Sequence, residues 1–447
     1  MEYKPTEIRF LCRTTVIILA IGLLIRYTLG FFLTYTYDIH SWAIIISNME
    51  SGNGLYGVSG YNYAPVWGYI LGFFSQISEF FGMGFFGERI TDALFVEDYE
   101  EWFLSAYATG LGFNFAIKTM LFMIDIVTGY VLWWIVADRY DDRRKADMAF
   151  GLWFLCPFVI SVSAVGAIFD ALSALLTMIA IAFMVRGKYF PAGFVITTVS
   201  IMKLFPGLLV FLLCAYVLKK HGLNRKGIEA LGWAVAGGLV AAIIILLPNI
   251  LEGTLVDCFG FILNRATSGM GALMGNVVRY GTILAYCAIL IVSIILAYQF
   301  YHKKDKNEDA DGLDNRFLYT VLMTFAVLFL FPATPQYILL ITPFLIMACI
   351  RNRAFMKPFI ILMIGTAMFS ISMNTANLLS ISAYTDLMSL STYVSLIGMT
   401  FDTGFNGITV ASILYYGGAA LQWIGILATV ILTYTQLYES QLTLKKS

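Results

Sequence analysis

From Thr14 to Leu33 twenty residues pass with one charged side chain, Arg26. A bilayer crossing takes about 20 apolar residues of helix, and runs approaching that length recur to the end of the chain. This patterning predicts an all-α, polytopic integral membrane protein. Of the 447 residues 60% are hydrophobic and only 13% charged, too few to solvate a globular surface. Basic and acidic residues balance at 28 each, so no net field draws the chain to nucleic acid.

Basic residues precede the first run in MEYKPTEIRFLCRT. The run is too long for a signal-peptide core, and no small-residue cleavage site follows, so the start reads as uncleaved and cytoplasmic. The six cysteines (Cys12, Cys156, Cys214, Cys258, Cys287, Cys349) lie mostly in apolar runs without metal-ligand spacing. They read as small hydrophobes.

Lysine and arginine set the orientation. The connections DRYDDRRKAD, RGK, KKHGLNRKG, HKKDKNEDADGLDNRF and RNRAFMK and the final KKS are all basic, which places them in the cytoplasm. For DRYDDRRKAD to lie inside, residues 34–112 must form one long external loop with membrane-surface helices; its acidic stretch GERITDALFVEDYEEW suits that side. Ala192 to Leu218 has basic connections at both ends but is too short for two spans, so a hairpin of two half-helices is predicted, broken at KLFP. The tip carries Lys203 toward the outer leaflet, where a lysine needs a partner such as a lipid phosphate.

Further spans are expected at Phe113–Val136, Met148–Val165, Ala171–Val185, Ile228–Pro248, Thr282–Phe300, Leu318–Phe331, Tyr337–Ile350, Phe359–Met373 and Ile408–Tyr434. With the hairpin counted twice this gives about twelve membrane segments. A module of residues 1–227 would carry the first external loop, and residues 228–447 would shape the lipid and acceptor site.

Ionisable residues concentrate in the first half. Asp38, in YDIHSW, stands where the first run leaves the membrane, beside the aromatic stretch GNGLYGVSGYNYAPVW. It is either a solvated loop acid or a base placed for membrane-bound substrates. Arg26, Lys118, Asp170 and Lys203 approach the same external level. Lys118 and Asp125 are seven residues apart on one helix face, a shared polar seam or an internal charge pairing.

These segments carry a resemblance. YDIHSW, GNGLYGVSGYNYAPVW, FAIKTMLFMIDIVTGYVLW, CPFVISVSAVGAIFDAL and AGFVITTVSIMKLFPGLL, in that order, resemble the amino-terminal half of GT-C glycosyltransferases. These segments are similar to those of the GPI mannosyltransferase I catalytic subunit and of glycosyltransferase family 87, and FPATPQYILLITPF resembles that family's late Pro-Gln-Tyr segment. The resemblance implies transfer of a hexose, mannose favoured, from a polyprenyl- or dolichyl-phosphate donor to a hydroxyl on a lipid-linked glycan, glycolipid or protein. The active face would be non-cytoplasmic, in a prokaryotic plasma membrane. Asp38 matches the family's first-loop acid, Lys118 and Asp125 its lysine and acid on the next span, and Lys203 and Pro206 its Lys-aromatic-Pro turn; Asp170 stands near a family polar position.

Where many relatives have a second acid, this chain has His40. No cofactor is therefore expected; a divalent metal, if one bound, would use Asp38 and His40, but hard cations prefer oxygen ligands. In the expected mechanism Asp38 is the general base, and Arg26, Lys203 and Arg265 hold the leaving phosphate. Arg265 also reads as an interfacial anchor. His40, Trp42, Tyr56, Tyr61, Tyr63, Gln336 and Tyr337 are the expected sugar and acceptor contacts, although tyrosines there also read as an interfacial belt. The competing readings are a transporter or flippase using the same buried charges, and a non-catalytic subunit of a glycosylation complex.

Overall fold

Helix α1 (Arg13–Phe32) begins at Cys12, whose thiol accepts from Thr15 N–H while the Thr15 hydroxyl accepts from Cys12 N–H. This reciprocal capping satisfies backbone donors that a helix start leaves open. The computed structural model describes residues 9–56, 61, 63–80, 110–265, 272–303, 310–330, 334–373, 387–388, 390–401 and 407–444. They are almost entirely helical; the one ladder among them pairs Thr400–Phe401 with Ile408–Thr409.

Six helices among the described residues are long and apolar enough to cross a membrane: Arg13–Phe32, Leu111–Tyr140, Arg225–Leu251, Leu284–His302, Arg353–Ser372 and Val410–Tyr438. The pair Arg143–Phe154 and Pro157–Val165 passes the same test together but is bent by 45°, as in a broken span or a re-entrant loop. These bear out an all-α, membrane-embedded protein. Long helices do not supply the expected twelve segments, because several predicted spans fold as short or broken helices. Ala171–Val185 falls in a 16-residue helix and Tyr337–Ile350 in a 3₁₀ turn (Pro335–Leu340) followed by a 10-residue helix. Prolines at 157, 335 and 343 sit at the breaks, where a ring without N–H starts a helix but cannot continue one.

The loop expected over residues 34–112 contains α2 (Thr36–Glu50) and α3 (Pro65–Phe80). Its acidic stretch lies outside the described residues, as does most of 375–407.

Two compact units make up the chain. The first comprises Met1–Gly52, Leu71–Leu175 and Thr334–Ile426, the second Asn53–Ile70, Leu176–Ala333 and Leu427–Ser447; the expected boundary at residue 227 falls inside the second. In the first unit α4 (Leu111–Tyr140) packs with α1 and with α5 (Arg143–Phe154), and Phe113, Phe122, Phe150, Trp153 and Phe154 are buried. After the one-turn α6 (Pro157–Ile160) and a π-helical turn at Ser161–Val165, the chain runs irregularly to Asp170, the first residue of α7 (Asp170–Val185). Every residue from Ser161 to Asp170 is buried, with Ala167 in the left-handed region at φ 53°. Irregular backbone at membrane depth needs this kind of enclosure in protein.

The second unit holds the predicted hairpin. α8 (Tyr189–Met202) is followed by an extended Lys203, a 3₁₀ turn at Phe205–Leu209 and α9 (Val210–His221). The two outer ends meet: Lys220 Nζ donates to Val185 O at 2.8 Å, and the Tyr189 hydroxyl contacts His221 Nε2. The two ends of the segment therefore lie together, as the hairpin requires. At 14 and 12 residues, the arms are roughly 21 and 18 Å long, short of a core of about 30 Å. α10 (Arg225–Leu251) lies along α8 so closely that a Cβ on Gly193 would stand 1.8 Å from Ala234 O, and one on Gly237 2.0 Å from Phe190 O. Only glycine allows that approach. Trp233, Leu239 and Ile243 on the other face of α10 are 56–59% exposed, a surface suited to lipid.

Candidate functional site

Asp38 is the third residue of α2 rather than a loop acid. Its side chain is buried, in the first turn where the helix dipole favours negative charge. One turn on, Trp42 is fully buried, donates its indole N–H to Ala167 O at 3.0 Å and meets the Phe169 ring edge-on. Tyr35 N–H donates to Val165 O at 2.9 Å. Both bonds tie the start of α2 to the irregular segment, so Asp38 is held on a braced element. Trp42, expected at the sugar, is a brace. His40 is two residues from Asp38, about 200° around the helix, so the two side chains leave on opposite sides. An ion held by both, which the sequence did not favour, would have to join side chains from opposite sides of α2. Burial lowers the His40 pKa from its usual 6.5.

The cations and acids of the first two long helices pair among themselves. Arg26 Nε donates to Asp125 Oδ2 at 2.9 Å, with neither side chain exposed. Arg26 Nη1 donates to Phe154 O at 2.6 Å and the guanidinium lies 4.1 Å over the Phe154 ring. Ser163, in the π-helical turn, donates to the same Asp125 oxygen at 2.7 Å. Arg26, expected on the donor phosphate, instead neutralises Asp125. The Lys118 ammonium donates to Gly30 O (2.8 Å), Leu33 O (2.8 Å) and Thr34 Oγ1 (2.6 Å). A lysine on α4 thus caps the carbonyl end of α1, where the helix dipole is negative. Lys118 and Asp125 do share a face of α4, yet each is compensated by a different group.

Asp170 is fully buried at the start of α7. Gln336, half-buried, and Tyr337, buried, follow Pro335 in the 3₁₀ turn of the first unit.

In the second unit the Lys203 ammonium stands 5.2 Å over the Tyr63 ring, and the residue is 9% exposed. A cation over an aromatic face is stabilised by the ring quadrupole. The Tyr56 hydroxyl donates to Tyr63 O at 2.9 Å; the Tyr61 hydroxyl donates to Ala64 O at 2.8 Å and accepts from Gly68 N–H at 2.9 Å. Burial raises both phenol pKa values, so they stay neutral. Tyr56 and Tyr61 therefore hold the loop that presents Tyr63 to Lys203. Arg265 ends the helix Leu255–Arg265, and its side chain lies outside the described residues.

Sequence reasoning missed Ser163, Thr34, Asn114 and the Phe154 carbonyl. Hydroxyls and amides in apolar runs are commonly helix-bonded to their own backbone, so nothing in their spacing singled these out. Among the described residues no three His, Cys, Asp or Glu side chains gather as a metal would need. No protein-family model matches the chain, and no curated protein matches it.

Proposed function

We propose that the protein is a GT-C-type membrane glycosyltransferase, moving a hexose, mannose favoured, from a polyprenyl- or dolichyl-phosphate donor to a hydroxyl acceptor on the non-cytoplasmic face. The observation that carries this reading is the buried carboxylate of Asp38 at the head of α2, held through Trp42 and Tyr35 to an irregular buried segment. A rigidly mounted, partly desolvated carboxylate is what a general base requires. Asp38 takes the proton from the acceptor hydroxyl as its oxygen bonds to the anomeric carbon. The bond from that carbon to the phosphate oxygen breaks, polyprenyl phosphate leaves, and the anomeric configuration inverts. Lys203, at the hairpin tip, is the cation proposed to meet the leaving phosphate. With Arg26 engaged by Asp125, the phosphate role rests on Lys203 with Arg265. Tyr63 is the aromatic proposed for the sugar. Gln336 and Tyr337 belong to the proposed acceptor site, and Asp170 to its polar surroundings. The twelve-segment topology is part of the same proposal, with the short helices as its re-entrant or tilted members.

One observation favours a second reading. A buried ion pair beside a broken helix is also how secondary transporters build a substrate path, and Arg26, Asp125 and Ser163 meet at such a break. Incubation of purified protein with a panel of polyprenyl-phosphate sugars separates the two. Release of polyprenyl phosphate, read by mass spectrometry, is the result expected of the transferase; donors recovered intact across the panel would leave the transporter.

A further inference from the structure

The basic connections differ in how their charge is balanced. DRYDDRRKAD carries four basic and four acidic residues, and two of its cations stand beside carboxylates, Arg143 with Asp147 at 3.6 Å and Lys145 with Asp142 at 3.8 Å. The two connections at the base of the hairpin, residues 186–188 and 219–229, hold six lysines and arginines against one acid, Glu229. They form one surface. Lys220 Nζ donates to Val185 O at 2.8 Å, and the Tyr189 hydroxyl contacts His221 Nε2. The turn into α10 is fixed by Asn224, whose Oδ1 accepts from Lys226 N–H at 2.9 Å and Gly227 N–H at 3.2 Å while its Nδ2 donates to His221 O at 2.6 Å.

Four cations of this surface, Lys188, Lys220, Arg225 and Lys226, are exposed. Among the described residues the side chains of Lys188, Arg225 and Lys226 make no ion pair, and Lys220 uses one of its three donors on a carbonyl. Arg225 and Lys226 also stand in the first turn of α10, which holds no acid, at the end where the helix dipole opposes positive charge. Such a placement is unfavourable for the helix alone and is offset by an anion drawn to the cations. Beside them the surface is apolar: Leu223 is 75% exposed, Ile228 61%, and Trp233 belongs to the face of α10 suited to lipid. The ligand that fits is an anion attached to hydrocarbon.

We infer that Lys188, Lys220, Arg225 and Lys226 bind the headgroup of an anionic phospholipid in the leaflet beside the hairpin base, with its acyl chains along Leu223, Ile228 and Trp233. This site is independent of the transferase reading, because it uses neither Asp38 nor Lys203. Purified protein in detergent is titrated with dioleoyl phosphatidylglycerol or dioleoyl phosphatidylcholine, and bound lipid is counted by native mass spectrometry. The anionic lipid should bind at least about tenfold more tightly, at roughly fivefold for each cation engaged. Lys188→Gln/Lys220→Gln and Arg225→Gln/Lys226→Gln, both at exposed positions and checked for folding by gel filtration, should each remove most of that preference. Arg143→Gln/Lys145→Gln, which removes the same charge from the balanced connection, should keep it. Equal binding of the two lipids, an equal loss of preference in Arg143→Gln/Lys145→Gln, or displacement of the lipid by inorganic phosphate at the same concentration would overturn the assignment.

Discussion

Arg26 Nε and Asp125 Oδ2 meet at 2.9 Å with both side chains wholly inside the protein, joining α1 to α4 at the level of the π-helical turn that supplies Ser163. Desolvating two charges is expensive, and the pair persists because further groups complete it: Phe154 O and the Phe154 ring on the arginine, Ser163 on the aspartate. Removing one partner strands the other charge in an apolar interior. Arg26→Met or Asp125→Leu should each destabilise by about 3–5 kcal/mol, and the double variant should recover most of that loss. Thermal unfolding in detergent, followed across the four-member cycle, reads the coupling; additive losses would mean the two charges do not depend on each other.

Asp38→Asn should abolish sugar transfer by about 10²- to 10⁴-fold while donor binding and thermal stability change little. Amide and carboxylate match in size, and only the carboxylate takes a proton. Turnover with a radiolabelled polyprenyl-phosphate sugar measures this, and full activity would remove Asp38 from the mechanism.

His40 predicts a pH dependence of stability. Its folded-state pKa is lowered from 6.5 by burial, so between the two values the unfolded chain binds the proton more readily. Stability should therefore fall as pH drops below about 6.5 and stop falling once the folded-state pKa is passed. Melting temperatures from pH 8 to 4.5 should show a slope that His40→Gln reduces; an unchanged slope would assign the acid sensitivity to other groups.

Transfer should survive EDTA. Asp38 and His40 leave α2 on opposite sides and do not form a chelating pair, so the leaving phosphate is assigned to cationic side chains instead. Loss of turnover on chelation, restored by manganese or magnesium, would reverse that assignment.

How much of this was legible in the sequence depended on whether the signal was periodic or tertiary. The all-α membrane class followed from run length, and the hairpin from basic connections around a segment too short for two spans; Lys220 against Val185 closes it as expected. Asp38 was legible as a boundary acid but not as a helical one, since YDIHSW has weak apolar periodicity and its helix is held by Trp42 binding Ala167 O. Arg26 read as a free cation for a lipid because its counterion is 99 residues away in sequence. Spacing on one helix cannot reveal such a partner. Six long helices and a bent pair do not confirm the expected twelve segments for a related reason: hydropathy registers apolar length, whereas Pro157 and Pro343 divide that length into bent or short pieces.

The hairpin tip supports the last prediction. Leu204 is 49% exposed beside Lys203, while His221 sits at the far end of α9 among basic residues. In a background without native cysteines, Leu204→Cys should react with a membrane-impermeant thiol reagent added from outside, and His221→Cys only after the membrane is opened. Lys203→Gln keeps much of the side-chain length but loses the charge proposed to meet the donor phosphate. A charged hydrogen bond is worth about 1.5–3 kcal/mol, so donor affinity should fall by roughly ten- to 150-fold. A merely structural lysine, resting on the Tyr63 ring, would lower the melting temperature and leave donor affinity intact. Measuring both quantities in Lys203→Gln separates the roles: unchanged affinity with reduced stability, or labelling of position 204 only from the cytoplasmic side, would move the phosphate site away from the hairpin.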